Sequence, residues 1–193
     1  MTPDKIVFQG KTKTGKDLTI RYLKLDDVQI VTDFINKASQ EKTYITFQGE
    51  ILSFEDEIKY VQSKIEAINK KESVVLLAFI ENKLVGSSDI NLEPKIKSHQ
   101  GLFGIIIDHD YRGEGIGKIL MSTVIKEAVE NINGLKLITL EVFGNNSIAQ
   151  SLYKKMGFVE FGNLPQGLKH QDKFVDQILM YKDVSLLSKG EAA

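Results

Sequence analysis

The sequence predicts an α+β protein, a mixed and mostly antiparallel sheet flanked by helices. Three observations lead there. Segments with the two-residue alternation of strands are interleaved with segments of helical spacing. Several strands are joined by short polar links, the pattern of hairpins. One strand–helix–strand unit, over residues 102–143, has room for a right-handed crossover that adds a parallel pair. At 193 residues the chain suits one domain, 1–193, with its core at about 17–183 and short peripheral termini.

The elements follow in order. DLTIRYLKL (Asp17 to Leu25) alternates apolar and polar residues and reads as a half-buried strand. In DDVQIVTDFINKASQ, Val28, Val31, Phe34 and Ile35 are spaced helically behind an Asp26 or Asp27 N-cap. A second helix starts at Ser53, its N-cap, with Asp56 completing a weak capping box and Ile58, Val61, Ile65 and Ile68 along one face. SVVLLAFI and LVGSSDINL, joined by Glu81-Asn82-Lys83, form a hairpin. A strand from Leu102 to Ile107 runs into YRGEGIGK. Beyond it Ile116, Leu120, Val124 and Ala128 mark an amphipathic helix that Gly134 closes. Lys136 to Phe143 is a strand. NSIAQSLYKKMGF is a short helix ending at Gly157, and FVEFG with KFVDQILMYKD closes the chain as an antiparallel pair. The end segments MTPDKIVFQG and SLLSKGEAA read as peripheral.

Composition excludes several classes. Lys and Arg (25) nearly balance Asp and Glu (26), so no field of one sign points to nucleic acid or a membrane surface. With no cysteine there are no disulfides, thiolate metal sites or Cys nucleophile, and His99, His109 and His170 stand apart in polar contexts, so no metal is expected. The N-terminal residues lack a signal-peptide pattern, and the longest apolar run, Val74 to Ile80, is too short to span a bilayer. The reading is a cytoplasmic protein.

Three alternate glycines at 113, 115 and 117 open a helix, where glycine is unfavourable. A strand ending in such a turn aims unpaired helix-start amides and the positive end of the macrodipole at one spot, an anion site. A tight junction packed with glycines is the alternative. The dinucleotide fingerprint needs Gly at 118, where Lys118 stands, and a Walker loop needs Gly at 112 and a hydroxyl residue at 119, where Arg112 and Ile119 stand. GKTKTGKD from Gly10 mimics a Walker loop but ends on Asp17 and reads as a lysine-rich hairpin turn.

Arg112, Gly115 and Gly117 match [Q/R]-x-x-G-x-[G/A], and LEVFGNNSIAQSLYKKMGF supplies Glu141, Asn146, Ala149, Leu152, Tyr153, Gly157 and Phe158 in a second motif. Together these resemble the GNAT superfamily of N-acetyltransferases, well over residues 74–162. The resemblance implies an acyl-CoA in a V-shaped opening between two splayed parallel strands, Leu102 to Ile107 and Lys136 to Phe143. It implies pantetheine contacts at Ile105, Ile106 and Ile107, with the pyrophosphate on Gly113, Glu114, Gly115, Ile116, Gly117 and Lys118. Arg112 would add a charged contact, and Asn146 would cap the last helix and bond the pantetheine arm.

For the chemistry, the resemblance implies direct transfer of an acetyl group from acetyl-CoA to a primary amine. A backbone N–H near Ile107 would serve the oxyanion, and Tyr153 would protonate the departing thiolate. Glu141, spaced from Asn146 as in N-terminal acetyltransferases resembling those that modify ribosomal proteins, would be the general base. Its apolar strand, T-L-E-V-F, predicts a raised pKa. Packing alone for Tyr153, and a structural or solvent-facing role for Glu141, are the alternatives. The acceptor would enter between Thr43–Glu57 and the loop Gly162–Phe174. Tyr44 and Phe47 beside Glu50, Glu55 and Glu57 suit a cationic amine, and a solvated helix start explains the acids equally well. Small amines, amino acids and protein N-termini all stay open as acceptors, and a homodimer stays open too. The rival reading is a non-catalytic CoA-binding regulatory module of the same fold.

Overall fold

A computed structural model of the protein describes residues 5–187. Its eight strands are β1 (Ile6–Lys11), β2 (Asp17–Tyr22), β3 (Ser73–Ile80), β4 (Lys83–Leu92), β5 (Gln100–Ile107), β6 (Leu137–Phe143), β7 (Val159–His170) and β8 (Lys173–Asp183). They form one sheet in the order β1-β2-β3-β4-β5-β6-β8-β7, and every neighbouring pair is antiparallel except β5 and β6. The four helices are α1 (Val28–Gln40), α2 (Phe54–Asn69), α3 (Ile116–Asn131) and α4 (Ser147–Lys155).

Local chemistry explains most boundaries. Ser53 Oγ accepts the Asp56 amide at 3.1 Å and starts α2, as expected, while the Asp56 carboxylate takes the Ser53 hydroxyl and not its backbone. The β3–β4 link is two residues, Glu81 and Asn82, both at positive φ (49° and 66°), the conformation a twisted hairpin needs. Asp27 precedes α1 without capping it. Its carboxylate is taken instead by both Arg21 guanidinium nitrogens at 2.7 Å, because the residue is buried and the nearer charge wins. The run to Leu25 therefore stops at Tyr22, and Leu25–Asp27 turn as a short 3-10 helix. α3 ends at Asn131, with Gly134 (φ 76°) beyond it in the turn.

Two expectations are corrected. Residues 6–11 are no peripheral tail but an edge strand on β2, so the sheet begins before residue 17. The segment Gly162–Phe174 is not a loop: β7 runs through it to His170 and pairs with β8 around an irregularity between Leu164 and Leu168. Of SLLSKGEAA, residues 188–193 lie outside the described residues.

Leu120, Met121, Val124 and Ile125 of α3 are buried against the sheet. Each such side chain contributes about 1.5–3 kcal/mol relative to exposure. Buried Glu127 on the same helix accepts the Tyr22 hydroxyl at 2.8 Å and the Lys5 ammonium at 3.2 Å, pinning β2 to α3. α3 is thereby held rigidly beneath the strands whose ends carry the site. Among the described residues no helix is long and apolar enough to cross a membrane.

Candidate active site

β5 and β6 pair only at Gln100–Leu102 with Leu137–Thr139 and then part. Beyond Leu102 the inner edge of each strand has no strand partner. Leu137 N donates to His99 O at 3.1 Å and Asp108 N to Val85 O at 3.0 Å. Odd-numbered residues of β5 thus turn their backbone to β6 and even-numbered ones to β4. Ile105 and Ile107 accordingly present backbone to the opening. Ile106, in register with Ser87 of β4, contributes its side chain to the cleft wall. Arg112 Nε donates to Ile107 O at 3.1 Å, which leaves the Ile107 amide as that residue's free group.

The glycine turn lies where β5 hands over to α3. Gly113 (φ 82°) and Gly115 (φ 84°) adopt left-handed backbone that a side chain would strain. Gly115 is the N-cap, and Ile119 N is bonded to Gly115 O, so the amides of Ile116, Gly117 and Lys118 have no partner within the helix. Gly117 is not required by the protein's own packing: a Cβ there would meet Ile107 and Leu152 at an ordinary 3.8 Å.

Three elements brace this turn. The β1–β2 hairpin tip reaches it through Lys13 N to Glu114 O at 3.0 Å, with Thr14 and Lys16 bonded to the Glu114 carboxylate. Lys16 first, then Thr14, hold that carboxyl down at about 2. From α1, Lys37 reaches both Asp108 and Asp110 at 2.9 Å, and Glu41 pairs with Arg112 at 2.7 Å. Lys16 and Lys83 both lie over the Tyr111 ring. The side chains of Arg112 and Glu114 are thus engaged by the protein itself, and what the turn offers a ligand is main-chain N–H.

On the other wall, Asn146 Oδ1 accepts the Ala149 amide at 3.1 Å and caps α4. Tyr153 of α4 is 8% exposed, with Phe103 at 6.0 Å edge-on and Phe158 at 6.2 Å. Its hydroxyl makes no hydrogen bond among the described residues, and burial pushes the phenol up to about 12. Glu141 departs from its expectation. It is exposed, because the strand alternation that buries Leu140 and Val142 turns it outward, and it accepts Gln177 Nε2 at 2.6 Å. The apolar enclosure inferred from T-L-E-V-F is absent.

Ile105, Ile106, Glu141, Asn146 and Tyr153 share a cleft of about 800 Å³ that runs from the β5–β6 opening under α1, α2 and the segment between them; Ile107 and the glycine turn lie outside its lining. Its outer end is aromatic. Tyr44 packs on Phe143 (5.6 Å) and on His170 (4.6 Å), and Asn145 Nδ2 lies 3.2 Å from His170 Nδ1. His170, read from the sequence as a loop histidine, is instead the last residue of β7 and packs on the rings of Tyr44 and Phe143. Glu57, for which the sequence left open a cationic-amine contact or a solvated helix start, is 4% exposed and lines the cleft, and burial raises its pKa. Neither placement had a local signal, since both depend on which way distant elements fold back. Among the described residues no group of three or more His, Asp or Glu is placed to share a metal ion.

The open V and the amide-lined turn together define a cradle for a long ligand with an anionic head. The chain belongs to the acetyltransferase (GNAT) family, which it matches over residues 37–158. It is 31% identical over 106 residues to the L-amino acid N-acetyltransferase AaaT of Escherichia coli. That alignment covers 54% of this chain and 65% of the relative, just under two thirds of its length. The crystal structure of a GNAT-family acetyltransferase from Streptococcus pneumoniae superposes with a TM-score of 0.79 at 28% identity, covering 86% of this chain and 98% of that one. YncA of Salmonella typhimurium, solved with its cofactor acetyl-CoA, shares the fold at TM-score 0.75 and 17% identity, covering 89% of this chain and 96% of that one.

Proposed function

We propose that the protein transfers an acetyl group from acetyl-CoA to a primary amine, by direct attack within a ternary complex. The observation that carries this reading is the parting of β5 from β6 beside an α3 start whose amides are unpaired within the helix and whose Gly117 is not demanded by the protein's own packing. Membership of the family and the YncA complex with acetyl-CoA support it.

Acetyl-CoA supplies a thioester carbonyl for attack and a thiolate leaving group. The amides of Gly113 to Lys118 bind its diphosphate, aided by the α3 macrodipole. Free backbone of Ile105 and Ile107 orients the pantetheine arm, with the Ile106 side chain as wall and Asn146 at the α4 start. Arg112 fixes the Ile107 carbonyl and so aims the Ile107 amide at the reacting oxygen, a contact of a kind worth about 3–4 kcal/mol. Glu141, on the same strand face as Phe143, accepts the proton from the amine, directly or through water. Tyr153 donates its free hydroxyl proton to sulfur. A phenol at about 12 is a weak acid for a thiol of ordinary pKa about 8.5, but the apolar wall that raises Tyr153 raises a thiolate beside it too, which narrows the gap.

Incubation with acetyl-CoA and a panel of small amines, amino acids and peptides, followed by thiol release, tests the proposal. Amine-dependent release supports it, and release no faster than hydrolysis across the panel contradicts it.

A further inference from the structure

Three side-chain polar atoms are buried with no partner among the described residues: Glu57 Oε1 and Gln48 Oε1, both acceptors of cleft-lining residues, and His170 Nε2 in the aromatic cluster at the cleft's outer end. The assignment at Gln48 is fixed by its surroundings. Its Nε2 donates toward the carbonyls of Thr43 (2.8 Å), Ile45 (2.7 Å) and Phe47 (3.2 Å), so the nitrogen cannot exchange places with the oxygen. The Glu57 carboxylate makes no hydrogen bond or ion pair with any described residue, although the residue is 4% exposed. Nearby cations are committed elsewhere. Lys64 binds Asn91 at 2.7 Å and Asp89 at 3.6 Å, and Lys59 lies 3.7 Å from Asp56.

A carboxylate with a fully buried oxygen and no protein donor is an unfavourable arrangement for a fold to hold. It makes physical sense where a ligand supplies the missing donors. Rings of Tyr44, Phe47, Tyr60 and Phe143 line the same cleft, and aromatic faces favour organic cations. Glu57 comes from α2, which packs on α1 and β3, whereas Glu141 and Tyr153 come from β6 and α4 on the far side of the opening. In the sheet β3 and β6 are three strand spacings apart, on the order of 14 Å. Glu57 and the Glu141–Tyr153 wall thus stand on opposite sides of the opening.

We propose that Glu57, with Gln48, docks a positively charged group of the acceptor that is separate from the amine being acetylated. The substrate class is then a primary amine carrying a second ammonium or guanidinium at the end of a flexible chain. This rests on the acetyltransferase reading and narrows its acceptor.

The test compares kcat/KM for 1,5-diaminopentane and pentylamine, which differ in the second ammonium alone, in the wild type and in Glu57→Gln. A wild-type preference for the diamine of about tenfold or more, collapsing to within about twofold in Glu57→Gln, is the expected result. Equal use of the two amines by the wild type, or a preference that persists in Glu57→Gln, overturns the proposal. Calorimetric titration of each amine into the protein saturated with CoA gives a readout independent of turnover. If neither amine is acetylated but the wild type binds the diamine and Glu57→Gln does not, the transferase reading fails and the docking site stands. If the diamine binds both proteins alike, the docking site fails. A melting curve of Glu57→Gln confirms that the variant is folded.

Discussion

The Lys16 ammonium lies 2.7 Å from the Glu114 carboxylate, ninety-eight positions away in sequence, and so fastens the β1–β2 hairpin to the glycine turn. The turn sets the unpaired amides of Ile116, Gly117 and Lys118 behind two left-handed glycines, Gly113 and Gly115, and bracing from outside keeps those amides aligned. Glu114→Ala is expected to weaken acetyl-CoA binding by about three- to tenfold through lost preorganisation, read by calorimetry. The pair also sets a pH window. The Glu114 carboxyl is lowered from 4.5 to about 2. Its contribution is therefore complete above about pH 4.5 and is lost as pH falls from there through about 2. Binding that weakens at neutral pH because of this pair would be the wrong sign.

Tyr153 and Glu141 separate a catalyst from a CoA-binding module that does no chemistry. Tyr153→Phe keeps the ring on Phe103 and removes only the hydroxyl. It is expected to lower kcat tenfold or more, about 1.4 kcal/mol of transition-state stabilisation, with acetyl-CoA affinity little changed. Glu141→Gln is expected to lower kcat/KM for the amine by a similar factor. With the phenol held up to about 12, no loss of activity from its ionisation is expected up to about pH 10. Two variants with wild-type rates would favour the module without chemistry.

Glu57 carries the opposite linkage from Glu114. Burial raises its folded pKa above 4.5, so the fold favours the protonated acid. Stability is greatest below about pH 4.5 and declines as pH rises through the folded value. Glu57→Gln is expected to melt higher than the wild type at pH 7, with the difference vanishing toward pH 4. A variant that melts lower at neutral pH would show that the carboxylate has a stabilising partner.

Tyr22→Phe tests the pin between β2 and α3. The hydroxyl donates to buried Glu127 at 2.8 Å, and its removal leaves the carboxylate with Lys5 and Asn131 as its side-chain donors. A loss of about 1–3 kcal/mol in urea unfolding is expected. An unchanged midpoint would mean that Lys5 and Asn131 satisfy Glu127 unaided.

Much of this architecture was legible because it is encoded locally. Ser53 and Asn146 announce their helices by side chains that cap them, Glu81-Asn82 announces a hairpin, and the spacing of Ile116, Leu120, Val124 and Ala128 draws the buried face of α3. What was hidden depends on partners far along the chain. The six residues of β1 are an edge strand, half exposed on both faces, with too little contrast to be seen. Arg112 reads as a free cation until α1 brings Glu41 to it. Glu57 in sequence suits a cationic amine and a solvated helix start equally, until that start is seen to overhang the cleft. Glu141 erred the other way: its apolar neighbours are buried by the alternation that leaves it exposed.

The account rests on Gly117 being glycine for the ligand's sake. A methyl at that position meets no protein atom closer than 3.8 Å, and alanine is favoured over glycine in a helix by up to about 1 kcal/mol. The decisive measurement is therefore paired, melting temperature and acetyl-CoA titration of Gly117→Ala against the wild type. An equal or higher melting temperature with affinity at least about tenfold weaker is the predicted outcome. Undiminished affinity in Gly117→Ala, or no binding of acetyl-CoA by the wild type, would contradict it.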